Sequence, residues 1–203
     1  MKDKNITQKH SHSPFDNPED FIEKFDGAER DEWQKPDEVI KSLNLPDNAV
    51  VVEIGSGTGY FAVRLAAQVK NGKVIAFDQS AGMTAHLANR VRELGFNNVD
   101  AQTTEPDGSI ALKEKADLIF SVDVYHHMQD RISYFSNLAA HLKPDGKLVI
   151  IDRTEEQVEG QPSGHRIPAE KVKEEMSEAG FELVEELHFL LPIQYYLTFK
   201  PIA

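Results

Sequence analysis

The 203-residue sequence contains no cysteine, and this absence removes several chemistries at once. There can be no disulfide framework, no thiolate zinc site, no iron–sulfur cluster and no cysteine nucleophile. Long apolar runs are also missing, because none exceeds four residues, whereas a membrane-spanning helix needs about 20. The first residues lack the apolar stretch of a signal peptide. We therefore expect a cytoplasmic protein without a membrane anchor.

Basic residues are scarce. The chain has 22 Lys and Arg against 34 Asp and Glu, a formal net charge of −12. Such an acidic surface repels nucleic-acid phosphates and anionic lipid. We therefore expect neither nucleic acid nor membrane as a partner, and a chain of this length forms one main domain. We expect a small molecule as the partner, and the protein can be a monomer or a homodimer.

The N-terminal part of the chain divides into two segments. Residues 1–16 are polar and without periodicity, which predicts a flexible tail. Residues 17–43 show apolar residues at helical spacing, with Gly27 suited to a helix end and Pro36 to a helix start. We predict an N-terminal helical segment over 17–43, which could form a lid, and the main folded domain over 44–203.

From Ala49 onward, strand and helix patterns alternate. Ala49–Ile54 is apolar and β-branched except for Glu53, which predicts a strand buried on both faces of a parallel sheet. Six further strands are predicted at 73–77, 99–102, 116–122, 147–151, 181–189 and 193–199, with helices at 81–94, 131–142 and 169–179 and a turn at 143–146. Three residues separate the last two strands, so this pair must be antiparallel. The pattern predicts a doubly wound α/β sheet.

A glycine-rich loop, Gly55-Ser56-Gly57-Thr58-Gly59, follows the first strand. In an open α/β sheet, ligands bind outside the carboxyl ends of the strands. Glycines let the backbone turn sharply and approach a ligand closely. Asp78 ends the second strand, 19 residues after Gly59, where its carboxylate can accept hydrogen bonds from both hydroxyls of a ribose. The loop and the acid together predict a nucleoside ligand.

Two residues argue against a dinucleotide. The dinucleotide fingerprint Gly-x-Gly-x-x-Gly has a small residue where this sequence has Tyr60. Glu53 lies two residues before the first glycine, where its negative charge disfavours a pyrophosphate. A ligand that carries positive charge suits this position better.

These motifs resemble those of class I S-adenosylmethionine-dependent methyltransferases. The resemblance rests on Glu53–Gly59, on Asp78 and on the segment Leu142-Lys143-Pro144-Asp145-Gly146, and it covers roughly residues 36–200. Tyr125-His126-His127 is similar to small-molecule and quinone-type members. The resemblance implies a Rossmann-like sheet of seven strands in the order 3-2-1-4-5-7-6, with an antiparallel last strand and N-terminal helices, and S-adenosylmethionine as cofactor.

The resemblance also implies roles for single residues. The methionine part of the cofactor would face Glu53, Gly55, Ser56, Gly57 and Gly59. Asp78 would hold the ribose, Gln79 would lie against the adenine, and Thr104 and Glu105 would bind the adenine amino group. Asp123 would approach the methionine end. If residues 17–43 close over the cofactor as a lid, Trp33 and Gln34 would lie near the mouth of the site.

His126 is the predicted catalytic base. Imidazole titrates near neutral pH, and a base is needed when the acceptor atom loses a proton. Adjacent residues of an extended chain point to opposite sides, so we assign this role to His126 rather than His127. The alternative is structural, because these histidines can cap a helix or satisfy buried backbone. Two histidines lack a third ligand, and no metal site is predicted.

The loop 153–167 follows the fifth strand and could close on an acceptor. Arg166 in this loop would suit a carboxylate or a phosphate. The favoured function is methyl transfer to a small molecule. The alternatives are a protein methyltransferase of the isoaspartate type, a nicotinamide-dependent oxidoreductase and a cofactor-binding protein without catalysis. Arsenite methylation is excluded because it relies on thiolates.

Overall fold

The computed structural model describes residues 17–156, 158 and 164–202. The predicted tail, residues 1–16, lies outside the described residues. The predicted helical segment consists of a 3-10 turn, Pro18–Asp20, and three short helices: α1 Ile22–Asp26, α2 Ala28–Gln34 and α3 Pro36–Ser42. Gly27 separates α1 from α2 in an extended conformation. Lys35 separates α2 from α3 with a φ of 46°.

The predicted seven-stranded sheet is confirmed. Its strands are β1 Val50–Ile54, β2 Lys73–Asp78, β3 Val99–Thr103, β4 Ala116–Val122, β5 Leu142–Arg153, β6 Phe181–Leu187 and β7 Gln194–Pro201. They are arranged in the order β3-β2-β1-β4-β5-β7-β6. Strand β7 runs antiparallel to both of its neighbours, and the other neighbouring pairs are parallel.

Four further helices cover the sheet: α4 Ala62–Gln68, α5 Ala81–Glu93, α6 Arg131–Ala139 and α7 Ala169–Glu178. Alternate strand residues belong to two separate apolar clusters. Val51 packs with residues of α3, α4 and α5, whereas Val52 packs with residues of α6 and α7. Both faces of the central strands are therefore buried, as the continuous apolar run of β1 predicts.

The boundary between α6 and β5 differs from the prediction. The helix ends at Ala139 rather than at Leu142, and the strand begins at Leu142 rather than at Lys147. The reason is strand pairing, because Leu142 lies opposite Ala116 in β4. The register then shifts until Lys147 lies opposite Leu118. The predicted turn at 143–146 is therefore a bulge within β5.

Parallel pairing brings the carboxyl ends of β1, β2, β4 and β5 to one edge of the sheet. Glu53 near the end of β1, Asp78 in β2, Asp123 just after β4 and Asp152 in β5 all lie toward this edge. A cavity of about 340 Å³ lies instead near the amino ends of β4 and β5, lined in part by Lys143. It contains no residue of the glycine loop.

Within the described ranges, no helix is long and apolar enough to span a membrane.

Candidate active site

The glycine loop joins β1 to α4 at the carboxyl edge of the sheet. The amides of Gly55 and Ser56 both donate to the carbonyl of Phe77, at 2.8 and 3.0 Å. Gly55, Gly57 and Gly59 have positive φ angles of 72°, 52° and 92°. Residues with a Cβ rarely adopt this conformation. The backbone path itself therefore requires these glycines.

Two of the loop glycines are packed against side chains, and one is more open. A Cβ at Gly55 would overlap the side chain of Val124, and a Cβ at Gly59 would overlap a leucine of α5. At Gly57, the nearest atom to an added Cβ would be a ring carbon of Phe25, 3.7 Å away. Gly57 is therefore the loop position where a ligand can come closest to the backbone.

The side chain of Asp78 accepts hydrogen bonds from the glycine loop and from Ser80, the residue before α5. Its Oδ2 accepts a hydrogen bond from the Gly57 amide, and its Oδ1 accepts one from the Ser80 amide, both at 2.8 Å. Burial raises the pKa of Asp78, and the hydrogen bonds from Ser80 and Gly57 oppose this rise. A carboxylate oxygen accepts more than one hydrogen bond. Ribose binding by Asp78 stays a prediction that this geometry permits.

The residues predicted to surround adenine lie beside Asp78. The amide of Thr104 donates to the Asp78 carbonyl at 3.0 Å, which holds the segment after β3 against the end of β2. Gln79 is exposed, and its Nε2 lies 3.3 Å from the position of a Cβ on Gly108. Glu105 is exposed as well. Their contacts with a ligand stay a prediction.

Glu53 places a buried carboxyl group near the end of β1. The residue is 4% exposed, and its Oε2 has no hydrogen-bond partner among the residues that the structure describes. Burial raises the pKa of Glu53 to about 8, while Arg30 lowers it and Asp78 raises it further. A buried unpaired carboxylate is costly. A ligand with a cationic or hydrogen-bond-donating group would remove that cost.

Arg30 carries no motif signal in the sequence, and α2 places it in the same site. Its Nη1 donates to the Phe25 carbonyl at 2.7 Å, and its Nη2 donates to Gln34 Oε1 at 3.3 Å. The guanidinium carbon lies 4.0 Å from the centre of the Tyr60 ring, within the range of a cation–π interaction. Burial lowers the pKa of Arg30, and the charge of Asp123 is the largest opposing effect.

Polar contacts connect these N-terminal helices to the ends of β4 and β5. Gln34 Nε2 donates to Gln194 Oε1 at 2.6 Å, and Gln194 Nε2 donates to Asp123 Oδ1 at 2.9 Å. The Nε of Arg153 lies 3.6 Å from the same oxygen of Asp123. Burial raises the pKa of Asp123, and the charge of Asp152 raises it further. Asp123 thus joins three separate parts of the chain.

His126 and Asp152 form a buried pair at the same edge. The Nδ1 of His126 lies 2.7 Å from Asp152 Oδ1, and the His126 amide donates to Asp152 Oδ2 at 3.1 Å. The segment Tyr125–His127 is a 3-10 turn, and the rings of His126 and His127 are centred 4.0 Å apart. The assumption of an extended chain behind the choice of His126 was therefore wrong. The catalytic role of His126 stays a prediction.

Tyr125 directly precedes His126 and connects this segment to α7. Its hydroxyl donates to Glu175 of α7. Arg131 donates to both carboxylate oxygens of Glu175, through Nε at 2.7 Å and Nη2 at 2.9 Å. The guanidinium carbon of Arg131 lies 5.2 Å from the centre of the Tyr125 ring. This network attaches the turn that carries His126 to α6 and α7.

A comparison with a family model identifies the fold family. The model, described as a methyltransferase domain, matches residues 28–186. This span runs from the start of α2 into β6 and includes the glycine loop, Asp78, His126 and Asp152. The chain belongs to this methyltransferase-domain family.

Solved and curated relatives agree with that assignment. A SAM-dependent methyltransferase from Aquifex aeolicus matches this methyltransferase domain with a TM-score of 0.78 and 25% identity, over 90% of this chain and 97% of that one. A trans-aconitate 2-methyltransferase of Variovorax paradoxus is 30% identical over 59% of this chain and 45% of its own. A ubiquinone biosynthesis O-methyltransferase of Bradyrhizobium is 30% identical over 54% and 42%. The matched part therefore covers less than half the length of each of these two curated relatives.

The predicted membership in the class I S-adenosylmethionine-dependent superfamily is confirmed. The methyltransferase domain also fits this cofactor on its own geometry. The unpartnered Oε2 of Glu53 suits the ammonium group of the methionine part. The open side of Gly57 admits a ligand next to the loop.

Several residues of the site could not be found from motifs. Asp152 carried a weak signal, because it is an acid at the carboxyl end of an apolar strand. Gln194 and Arg30 carried none. Trp33, predicted near the mouth with Gln34, is half-buried and lies 5.9 Å from the guanidinium carbon of Arg30. These positions become visible only when the N-terminal helices and β7 are placed beside the ends of β4 and β5.

Proposed function

We propose that this methyltransferase domain transfers the methyl group of S-adenosylmethionine to a hydroxyl group of a small-molecule acceptor. The observation that carries the proposal is the hydrogen bond between His126 Nδ1 and Asp152 Oδ1, 2.7 Å long, at the carboxyl edge of the sheet. An imidazole oriented by a carboxylate is a general arrangement for a catalytic base. A hydroxyl acceptor must lose its proton, and a base is then required.

The residues that would hold the cofactor lie at the carboxyl ends of β1, β2, β3 and β4 or just after them. Glu53 and the Gly55–Gly59 loop would face the methionine part, and Asp78 would face the ribose. Gln79, Thr104 and Glu105 would surround the adenine, and Asp123 would lie near the methionine end. When bound, S-adenosylmethionine supplies an electrophilic methyl group on a sulfonium that leaves as a neutral thioether.

The pairing with Asp152 determines which nitrogen of His126 is available. The carboxylate accepts the proton of Nδ1, so Nε2 carries the lone pair that can take a proton from an acceptor hydroxyl. Asp152 also accepts the His126 amide, which fixes the position of the residue as well as that of the ring. A positioned base contributes about 10²- to 10⁴-fold to a rate. His126 would remove the proton, and Asp152 would orient His126.

The relatives support a small acceptor. One is named for trans-aconitate and another for an O-methylation in ubiquinone biosynthesis. These names belong to proteins more than twice as long as the matched part, and they do not transfer as substrates. A protein acceptor of the isoaspartate type and a nicotinamide cofactor are the competing functions.

Cofactor binding is tested first, by calorimetry of the purified protein with S-adenosylmethionine, S-adenosylhomocysteine, NAD and NADP. We expect micromolar binding of the first two compounds alone. Methyl-labelled S-adenosylmethionine is then offered with phenols, hydroxy acids and an isoaspartyl peptide. Label on a small hydroxylated compound supports the proposal. Label on the peptide, or binding of NAD alone, would overturn it.

The role of His126 is tested with the acceptor found in that screen. We expect His126→Gln and Asp152→Asn to lower kcat by about 10²- to 10⁴-fold. Their affinity for S-adenosylhomocysteine should stay unchanged, because neither side chain is predicted to touch the cofactor. A kcat within about twofold of the wild type in both variants would remove the pair from the reaction.

A further inference from the structure

Arg153 differs from the other arginines near the site. It is the last residue of β5, directly after Asp152, and its side chain is 17% exposed. Its Nε lies 3.6 Å from Asp123 Oδ1, and its Nη1 would lie 3.8 Å from a Cβ at Gly164. Within residues 17–156, 158 and 164–202, its two terminal nitrogens have no hydrogen-bond partner.

The neighbouring arginines donate to the protein itself. Arg30 donates to the Phe25 carbonyl, Arg131 to Glu175 and Arg166 to the carbonyls of Thr154 and Glu156. Arg166, which the sequence favoured for binding a carboxylate or a phosphate, therefore holds the backbone of its own loop. Arg153 differs from the other three arginines. Its side chain is mostly buried, and its two terminal nitrogens have no hydrogen-bond partner among the residues that the structure describes.

The acids around Arg153 are already engaged. Asp123 Oδ1 accepts a hydrogen bond from Gln194. Asp152 Oδ1 accepts from the ring of His126 and from the Arg153 backbone amide, and its Oδ2 accepts from the His126 amide. Neither carboxylate forms a close hydrogen bond with the Arg153 guanidinium. Asp123 balances the charge of Arg153 through the 3.6 Å ion pair, and the terminal nitrogens of Arg153 donate to neither carboxylate.

A second cation lies on the same side. Burial and His126 are the main causes that lower the pKa of His127, and the charges of Arg153 and Lys24 lower it further. The charge of Asp152 opposes both cations, because it raises the pKa of His127. Arg153 and Lys24 add positive charge on the side of His127, in a chain of net charge −12. Such a position attracts an anion that the rest of the surface repels.

We propose that Arg153 binds an anionic group, a carboxylate or a phosphate, of the methyl acceptor. A guanidinium forms two parallel hydrogen bonds with either group, which adds orientation to attraction. Arg153 lies at the same carboxyl edge of the sheet as Asp152 and His126, so an acceptor held by Arg153 would lie at the edge that carries the proposed base. The acceptor is then a small hydroxylated acid or phosphate ester. This inference rests on the proposed function.

Direct binding of anions tests the proposal without a known acceptor. The protein saturated with S-adenosylhomocysteine is titrated with malonate and with inorganic phosphate at constant ionic strength, and binding is followed by NMR. We expect one of the two anions to bind saturably, and its identity distinguishes a carboxylate from a phosphate. Arg153→Met should weaken this binding about 10- to 100-fold, and Arg153→Lys should weaken it less.

The matched control is Arg92→Met, because Arg92 is an exposed arginine of α5 bonded to Asn89. It removes the same charge and should leave anion binding unchanged. Unchanged affinity for S-adenosylhomocysteine in Arg153→Met shows that this variant is folded. Failure of both anions to saturate the wild type, or equal binding by wild type and Arg153→Met, would overturn the proposal.

The two proposals fail in different ways. If S-adenosylhomocysteine binds but no anion does, only the role of Arg153 is overturned. If S-adenosylhomocysteine does not bind, the proposed function is overturned. The anion titration is then repeated on the protein alone, where the same comparison of Arg153→Met with Arg92→Met still decides whether Arg153 binds anions.

Discussion

The side-chain amide of Gln34 donates a 2.6 Å hydrogen bond to Oε1 of Gln194, across 160 residues of sequence. Both residues are fully buried. The contact joins α2 to β7. Gln194 in turn donates a hydrogen bond to Asp123. One such bond contributes only about 1 kcal/mol net. The hydrogen bond is therefore one of the polar contacts that attach α2 to the rest of the domain.

Replacing Gln34 tests this attachment. Gln34→Ala removes the donor and leaves Oε1 of Gln194 buried without its partner, which costs about 1–3 kcal/mol. We expect faster amide hydrogen exchange over residues 22–42 and little change in the strands. The control is Gln68→Ala, because Gln68 is an exposed residue at the end of α4. Equal exchange in the two variants would contradict a role of Gln34 in holding the helices.

Local patterns were enough to predict the sheet and the contact between the glycine loop and Asp78. The apolar run of β1, the glycine loop and Asp78 lie close together in sequence, and parallel pairing forces them to one edge. The boundary at Leu142 was missed because its helical period continues into a residue that pairs with Ala116. The spacing of apolar residues predicts helices and strands locally, and it does not show which distant residues pair.

The contacts around Asp123 and His126 were harder to predict because they join distant segments. Arg30 lies in a short helix, Gln194 begins the last strand, and Asp152 is the residue before the last in β5. None belongs to a local motif, and each contact depends on the packing of three elements. The choice between His126 and His127 depended on the local backbone, and the 3-10 turn there has no clear signature in sequence.

Gly57 offers a test of the cofactor edge that changes a single carbon. Gly57→Ala puts a Cβ on the open side of the loop, 3.7 Å from the nearest protein atom. We expect the affinity for S-adenosylhomocysteine to fall at least about tenfold, since the methyl group occupies space next to the ligand. Calorimetry measures this affinity.

The positive φ of Gly57 has its own cost, about 1 kcal/mol for alanine, and the control must share it. Gly95 also has a positive φ, of 78°, and an added Cβ there meets nothing within 4 Å. Gly95→Ala should lower the free energy of unfolding by a similar amount and leave binding unchanged. A parallel loss of affinity in both variants would mean that strain, rather than contact, is responsible.

Glu175 is predicted to matter for stability rather than for binding. It accepts two hydrogen bonds from Arg131 and one from Tyr125, and the Arg131 hydrogen bonds are the main cause that lowers the pKa of Glu175. Glu175→Ala leaves Arg131 and Tyr125 without this acceptor, and we expect a loss of about 2–4 kcal/mol in urea unfolding. Glu174→Ala removes an exposed acid of the same helix and should change stability by less than about 1 kcal/mol. Similar losses in both variants would refute the structural role of this network.

Glu53 links pH to both stability and cofactor binding. Its pKa in the folded protein is about 8, against 4.5 for the ordinary group. Between these two pH values, the unfolded chain has released a proton that the folded chain keeps, so the contribution of Glu53 to stability is full below pH 4.5 and is lost as the pH rises toward 8. Glu53→Gln should therefore flatten the fall in stability over this range, which urea unfolding at several pH values measures.

The same carboxyl group should release its proton when a cation binds beside it. A positively charged ligand favours the ionised form, so binding of S-adenosylmethionine at pH 7 should release a proton from Glu53. Calorimetry in two buffers of different ionisation enthalpy detects this release as a difference in binding enthalpy. Glu53→Gln should remove the difference, whereas Glu182→Gln, a change on the exposed edge strand β6, should keep it. A buffer-independent enthalpy in the wild type would mean that the cofactor places no cation next to Glu53.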